Sequence, residues 1–448
     1  MAEGHTVSPD GRLWTFRLRG GLTFHHGEPV LARDIVASLE RFMKRISFGQ
    51  TILERLDRME APDDKTVHIR LKKPLSVLLH ILAKATPCMM PADIARASMD
   101  KPTSVAIWSG PFRFVKQDYV AGGSAAYEKF DRYVPRNEVA SYGAGGHVAL
   151  LDRIEWHAIP DQSTLTSALL AGEVDWADSI VSEVVPALVA SGRVKADRLN
   201  SYGNLAYMHL NSAHGPTAVP AIRRALLAAI DQEEVMKIAI GDRNLWNAPV
   251  GTFALGTPCS STAGMESLGT PRRPAKDIKA MLAAAGYGGE PLVNLHVSDH
   301  PTYDAISQVV VRRLREVGLT VRDEIMDHNT FYKRRYSKEP LDKGGWSTWS
   351  TATSALLYFS DPVMSGLMRG NGSGSLPLNL MLEESRTRWM ELADEAGRNA
   401  ICRDHQAEML RSMHIVPLGQ YSYYGAWRNN VSGVKRSPLP LFWGISKS

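Results

Sequence analysis

Leu292–Val297 (LVNLHV), Tyr303–Val317 (YDAISQVVVRRLREV) and Leu319–Ile325 (LTVRDEI) are the stretches whose reading decides the fold class. The first is a short apolar run of strand length. The second places Ile306, Val309, Val310 and Leu314 on one helical stripe and stops at Gly318. The third is again extended. Strand, helix and strand joined by short turns form a crossover that returns the chain parallel to itself, so a parallel or mixed sheet lies beneath. Working outward, Ala275–Ala285 reads as a helix ended by Gly286, Val219–Ile230 as a helix, Leu205–Leu210 as a buried strand, and Met381–His414 as one long helical stretch. Toward the N-terminus, Trp14, Phe16 and Leu18 alternate with polar residues, as do Val67, Ile69 and Leu71. Between them a helix beginning near Leu31 carries Ile35, Val36, Leu39 and Phe42. Pro160–Ser163 signals the start of a helix over Thr164–Ala171, which Gly172 ends before a strand opens at Glu173–Trp176. The chain is α/β, with several domains.

Composition narrows the function classes. The 448 residues are 44% hydrophobic and 22% charged, with a net charge of +5. That surplus is small and scattered. The pairs Arg223-Arg224, Arg272-Arg273, Arg312-Arg313 and Arg334-Arg335 read as solvated helix faces, not as a nucleic-acid tract. Cys88, Cys259 and Cys402 lie far apart without a CxxC pair, against a zinc or iron–sulfur site; one long-range disulfide is compatible and leaves a free thiol. No stretch reaches the roughly 18 apolar residues a membrane span needs. Met1–Asp10 is polar and has no signal-peptide pattern.

Catalytic motifs are missing: no phosphate loop, no nucleophile elbow, no HExxH and no GxGxxG following a strand. His25, His26 and Glu28 suggest a metal only weakly, because adjacent residues on an extended segment point to opposite faces. Trp346-Ser347-Thr348-Trp349-Ser350 is more informative. Two flat indoles among hydroxyls suit a ligand site, although spacing alone favours packing in a core.

Several segments, in order along nearly the whole chain, resemble family 5 extracellular solute-binding proteins, the dipeptide-, oligopeptide- and nickel-binding subunits of ABC importers. They include Glu3–Arg19, Phe24–Val30 and Asp34–Arg41, then Ser109–Phe112, Ala168–Asp175, Tyr207–Asn211, Ile222–Leu226 and Ala283–Tyr287, and finally Pro417–Tyr421, Trp427-Arg428 and Phe442-Trp443. His26 stands where the family usually has Asp, and Arg33 where it usually has Glu or another polar residue.

The resemblance implies a two-lobed type II periplasmic-binding-protein fold with an extra subdomain in lobe I. That subdomain is expected over residues 1–108, the lobe I core over 109–210, lobe II over 211–417 and a return to lobe I over 418–448. The crossings then fall near Asn211 and Pro417. It further implies a periplasmic monomer that captures a small peptide or similar polar solute by domain closure and delivers it to an ABC permease, with no cofactor, metal or catalysis. Family members start several tens of residues earlier, with a signal peptide and the first strands of lobe I, so this chain is expected to begin inside that sequence. Peptide binders often carry an Asp three residues after a Trp, opposite the peptide amine; with Trp346 as that Trp, Trp349 takes the acid's place. The expected ligand-binding residues are Trp346, Trp349, Ser347 and Ser350, with Tyr202 approaching from lobe I, and Asn204. Other classes are a sensory domain of the same fold and an α/β hydrolase; a panel of activity assays separates the latter.

Overall fold

The two alternating patterns read near the N-terminus pair with each other in one sheet, while the strands expected at Glu173–Trp176 and Leu319–Ile325 run over Trp176–Ile180 and Val321–Met326. The structure is a computed structural model that describes residues 1–84, 87–372 and 374–448, the side chains of 47, 48 and 84 apart. The first sheet has the order β1-β2-β4-β3, with β1 Ala2–Val7, β2 Leu13–Leu18, β3 Leu56–Glu60 and β4 Thr66–Leu71. Trp14 lies opposite Ile69 and Phe16 opposite Val67, so the two alternating patterns share one apolar face. Helix α1, Ala32–Arg45, covers it with Ile35, Val36, Leu39 and Phe42 buried. Its first-turn Asp34 accepts from the Leu31 amide at 2.9 Å, and Lys44 and Arg45 close its last turn, charges placed as the helix dipole favours.

A second sheet follows in the order β5-β6-β7, from Phe112–Val120, Ser124–Lys129 and Arg153–His157. Helix α2, Gln162–Ala171, begins where the Asp161 carboxylate accepts from the Thr164 amide at 2.7 Å and ends at Gly172 with φ of 87°. It leads into β8, Trp176–Ile180, and later β9, Val194–Asp197.

The chain then forms a six-stranded mixed sheet of order β11-β15-β10-β14-β12-β13. Its strands are β10 Asn204–Leu210, β11 Trp246-Asn247, β12 Leu292–Val297, β13 Val321–Met326, β14 Thr348–Ser354 and β15 Ile415–Tyr421. Between β12 and β13 runs helix α3, Pro301–Glu316, and the two strands pair in parallel from Leu292 opposite Val321 to Val297 opposite Met326. All six residues of β12 are buried, because layers cover both faces. Helix α4 is His328–Arg334 and α5 is Glu395–Ser412. The expected helix over 381–414 is two helices, Leu380–Glu391 and α5, since the Asp394 carboxylate accepts from the Gly397 amide at 2.6 Å and starts a new one. The chain returns as β16, Tyr424–Arg428, between β8 and β9.

Residues 1–201 with 423–448 form one compact unit, and residues 202–422 form the other. The crossings expected at Asn211 and Pro417 therefore lie inside the second unit. β10 is hydrogen-bonded to β14 on one side and β15 on the other, so the chain from 204 to 210 and from 415 to 421 belongs to that sheet. The arginine pairs are also not uniformly solvated. Arg313 is 2% exposed and donates from Nε to the Ala229 carbonyl at 2.9 Å, satisfying the end of a helix. Arg223 is likewise buried, on the carbonyls of Thr217 and Ala218. A disulfide joins Cys259 to Cys402, and Cys88 is free and exposed. Among the described residues, no helix is long and apolar enough to cross a membrane, and no three His, Cys, Asp or Glu side chains group as metal ligands do.

Candidate functional site

The second unit's sheet gathers an aromatic cluster around one guanidinium. β10 and β14 pair antiparallel with His209 opposite Trp349 and Tyr207 opposite Thr351. Residues directly opposite project to the same face, so the His209 and Trp349 rings meet, stacked 4.9 Å apart at 20°. Tyr207, two residues away on that face, meets Trp349 edge-on at 5.6 Å and Phe359 at 5.2 Å. Trp346 is delivered by Gly344-Gly345: Gly344 has φ of 92°, and a Cβ on Gly345 would run into the Glu339 carbonyl. Its ring sits 6.1 Å from that of Trp349 and 5.4 Å from that of His209.

Helix α4 and the residue after it bring the charge. Phe331 packs edge-on against Trp349 at 5.5 Å. Four residues on, the half-buried Arg335 lies over the rings of Tyr332 at 4.1 Å, Tyr336 at 4.8 Å, Phe331 at 5.8 Å and Trp349 at 5.9 Å. Its Nη2 donates to the Tyr336 hydroxyl at 2.9 Å, while its buried Nε donates to nothing. Among the described residues no carboxylate is within ion-pair distance of it. Its neighbour Arg334 is bonded differently, at 2.7 Å from Glu324 and 3.0 Å from the Gly344 carbonyl. Alternation along one turn sends the two members of the pair to different surroundings.

The cluster is apolar in bulk but not in detail. The Nε1 atoms of Trp346 and Trp349 and Nδ1 of His209 are buried and meet no protein partner, which is uncommon for buried donors. Burial, then repulsion from His414 and Arg335, pushes the His209 pKa well down and keeps the ring neutral; its Nε2 lies 2.9 Å from the Ser375 hydroxyl. Burial likewise raises the Tyr207 phenol. Such a site can hold a flat or apolar group against the rings and an anion against the guanidinium.

Of the six residues expected at a ligand site, Trp346 and Trp349 come together, at 1% and 4% exposure. Ser347 is engaged in the sheet, its hydroxyl accepting from the Val293 amide at 3.2 Å. Ser350 is buried one position along β14, which places it on the face opposite Trp349. Tyr202 and Asn204 belong to the second unit, not to lobe I. Asn204 pairs with Ser354 and Tyr421, five residues along β10 from His209, or roughly 17 Å at a strand's rise. The Tyr202 carbonyl accepts from Gln420 Nε2 at 2.8 Å, and its ring adjoins Gly256. Sequence reasoning missed Tyr207, His209 and Arg335. Phe331, Tyr332, Arg335 and Tyr336 fall at i, i+1, i+4 and i+5, a spacing that sets a cation over rings on one helical face and could have marked Arg335.

Comparison with known proteins agrees with this architecture. Residues 1–372 match the family described as bacterial extracellular solute-binding proteins, family 5. A probable peptide ABC transporter periplasmic-binding protein of Sinorhizobium fredii is 32% identical over 457 aligned positions, covering 100% of this chain and 85% of the relative. The glutathione-binding protein of Escherichia coli K12 is 27% identical, covering 81% of this chain and 68% of that one. Among solved structures, a binding protein from Agrobacterium tumefaciens in complex with agropinic acid superposes with a TM-score of 0.81 at 22% identity, over 100% of this chain and 89% of that one. The Helicobacter pylori binding protein in complex with the peptide STSA gives 0.81 at 19% identity, over 100% and 88%. These structures share the two-lobed type II periplasmic-binding-protein fold.

Proposed function

Because this chain belongs to the family 5 bacterial extracellular solute-binding proteins, and so is a periplasmic substrate-binding subunit of an ABC importer, we propose that its solute is a peptide-like carboxylic acid whose amine is blocked or absent. The observation that carries this reading is Arg335, a half-buried guanidinium held among four rings with no carboxylate beside it among the described residues. A free ammonium at Trp349 would find rings and a repelling cation where amine recognition wants an anion. A carboxylate would find charge-assisted donors from Arg335, with Trp346 and Trp349 offering flat faces and indole N–H groups. Agropinic acid, bound by one structural neighbour, is a carboxylic acid. Ser347, Ser350, Tyr202 and Asn204 act in this reading by holding the sheet.

Capture proceeds by closure about the two crossings at 201/202 and 422/423, and ligand favours the closed state because only that state completes its contacts. The partner is a membrane permease, the working form is a monomer, and binding and release involve no covalent step. Calorimetric titration tests the ligand class with Gly-Phe, its N-acetyl derivative and the derivative's C-terminal amide. The acetylated acid is expected to bind at least tenfold more tightly than either of the others, about 1.4 kcal/mol. Micromolar or tighter binding of unmodified dipeptides, equal to their acetylated forms, would sink the reading.

A further inference from the structure

Strand β12 is buried along its whole length, yet two of its six residues are polar. Asn294 and His296 lie two apart and share one face of the sheet, while Leu295 between them pairs with Trp349 on the other. His296 is 2% exposed, and both of its ring nitrogens meet carboxylates. Nε2 lies 2.7 Å from Asp304 of α3, and Nδ1 lies 2.8 Å from Asp323 of β13. A neutral imidazole has one N–H to give, so serving both carboxylates requires the doubly protonated ring. The chain of bonds runs on in both directions. Gln308 Nε2 donates to Asp304 at 2.9 Å, Asn294 Nδ2 donates to Asp323 at 2.8 Å, and the Thr348 hydroxyl of β14 donates to Asn294 at 2.9 Å. One imidazolium thus ties α3 to β12 and β13 and, through two further bonds, to the residue before Trp349.

Other charges nearby are engaged elsewhere. Arg315 of α3 acts on Asp323 and donates to the Val321 carbonyl at 3.1 Å. β14 brings Thr348 and Ser350 to this face, both uncharged. Helix α4 lies across the sheet: Phe331 packs on Trp349, and Arg334 pairs with Glu324, which is next to Asp323 on β13 and so on the opposite face. On the helix over 232–239, which packs along α3, Glu234 pairs with Arg272 and Arg312. Beyond the strand ends, His300 has His328 and Asp299 as charged neighbours. Among the described residues, Asp304 and Asp323 are therefore the ion-pair partners of His296. The Asp323 bond raises its pKa above the ordinary 6.5, burial works against this, and Asp304 adds to the rise.

A neutral ring cannot serve both acids. The Asp323 side chain is 15% exposed and is also held by Asn294, whereas that of Asp304 is 32% exposed and can turn to water. The proton that leaves is therefore the one on Nε2, passed to solvent. Nε2 and the Asp304 oxygen are then two acceptors 2.7 Å apart, and they separate. Asp304 shares the first turn of α3 with Tyr303, whose hydroxyl donates to the Ala352 carbonyl at 2.9 Å and whose ring lies 6.0 Å from that of His328. His328 lies 4.6 Å from Tyr332, and that ring is 4.1 Å from the Arg335 guanidinium. We propose that His296 is a positioning residue that works as a proton-operated latch: protonated, it closes the first turn of α3 onto β12 and β13; deprotonated, it releases Asp304 and loosens that turn together with the ring contacts that seat Arg335. The effect on a solute rests on the reading of Arg335 given above; the latch itself does not. Its folded pKa lies above the unfolded one, so the latch is fully closed below about pH 6.5 and opens as pH rises through the folded value.

Amide hydrogen exchange on residues 1–448 at pH 6 and pH 9, corrected for the intrinsic pH dependence of exchange, tests the latch. The amides of 304–308 bond to the carbonyls of 300–304. Their protection should fall by roughly tenfold or more from pH 6 to pH 9, while that of 309–316 and of β12 changes less than about twofold. Asp304→Asn is isosteric at a partly exposed position. Its amide can donate to the neutral Nε2 and its oxygen can still accept from Gln308, so the turn should stay protected at both pH values. Histidine side-chain NMR should place the wild-type His296 pKa above 6.5 and show it lowered in Asp304→Asn. The proposal is overturned if exchange at 304–308 ignores pH in the wild type, if α3 and β12 lose protection together, if Asp304→Asn keeps the pH dependence, or if His296 titrates at or below 6.5. Titration calorimetry with N-acetyl-Gly-Phe then reads the link to the site. Binding should be roughly tenfold weaker at pH 9 in the wild type and less than about threefold weaker in Asp304→Asn. Equal wild-type affinities at both pH values would overturn the link to Arg335, whereas no binding at either pH would strike the ligand reading while the exchange result still decides the latch.

Discussion

Replacing Cys259 and Cys402 together by alanine should weaken residues 202–422 far more than the size of the change suggests. The disulfide closes a loop of 143 residues and ties a connecting segment to helix α5. In the chain-entropy view it acts on the unfolded state, and a loop of that length costs the unfolded chain about 17 cal/mol/K, or about 5 kcal/mol at 25 °C. The folded state should tolerate the loss. One turn further along α5, Gln406 Nε2 donates to the carbonyls of Ser261 and Ala263 at 2.9 and 3.0 Å, which holds the same segment in place without the sulfur bridge. Both cysteines are buried, at 3% and 0% exposure, so alanine leaves small voids and exposes nothing. For a unit of this size, 5 kcal/mol corresponds to roughly 10–20 °C in melting temperature. Differential scanning calorimetry should show the transition of 202–422 moving down by that amount while the other unit's transition stays within about 2 °C. Urea unfolding should show a larger m-value, because an uncrosslinked chain exposes more surface. A loss below about 1 kcal/mol, an unchanged m-value, or an equal shift in both transitions would refute the argument.

Three further outcomes are expected. Trp349→Ala removes a ring packed against His209, Phe331 and Tyr207, so the second unit should lose about 3–5 kcal/mol in chemical denaturation; Trp349→Asp should lose at least as much while beginning to admit free dipeptides in titration calorimetry, and an unchanged free-peptide affinity would count against the role given to that position. Arg335→Met keeps the contacts of the half-buried stem but deletes the cation, so binding of the N-acetyl dipeptide should weaken by one to two orders of magnitude with stability within about 1 kcal/mol; equal binding would remove Arg335 from the site. Burial holds His209 well below the ordinary imidazole value, His405 at about 3 and His414 at about 4, so each is neutral when folded and takes a proton when unfolded below about pH 6.5. Folded values below the unfolded one mean stability that is present above pH 6.5 and lost as pH falls, by up to roughly 4 kcal/mol per unit for the three together. Melting of 202–422 between pH 7.5 and 5.5 reads this directly, and a flat profile would contradict it.

Much of this protein was legible in order along the chain, because periods of two and of 3.6 are set by neighbours within a few residues. β12, α3 and β13 lie within a few residues of where the patterns of Leu292–Val297, Ile306–Leu314 and Leu319–Ile325 put them. The pairing of Trp346 with Trp349 is equally local, since three residues separate them. Asp161 and Gly172 mark both ends of α2 by side-chain and backbone chemistry confined to a single turn. The family followed from such signals arranged in sequence.

What no local signal carries is which distant elements meet. Arg335 reads as half of a solvated pair until helix α4 is laid over the sheet, and only then does its guanidinium stand above Trp349. His209 and Tyr207 join the site because β10 happens to be the antiparallel neighbour of β14, in a register that a shift of one residue would turn to the other face. The same pairing draws residues 202–210 into the second unit, moves the crossings to 201/202 and 422/423, and carries Tyr202 and Asn204 to the far end of the strand. Cys259 finds Cys402 and not Cys88 for the same reason. Local signals set the kinds of element, their order and the family they compose; strand order and register, which for β10 depend on residues more than a hundred positions away, decided which side chains share a site.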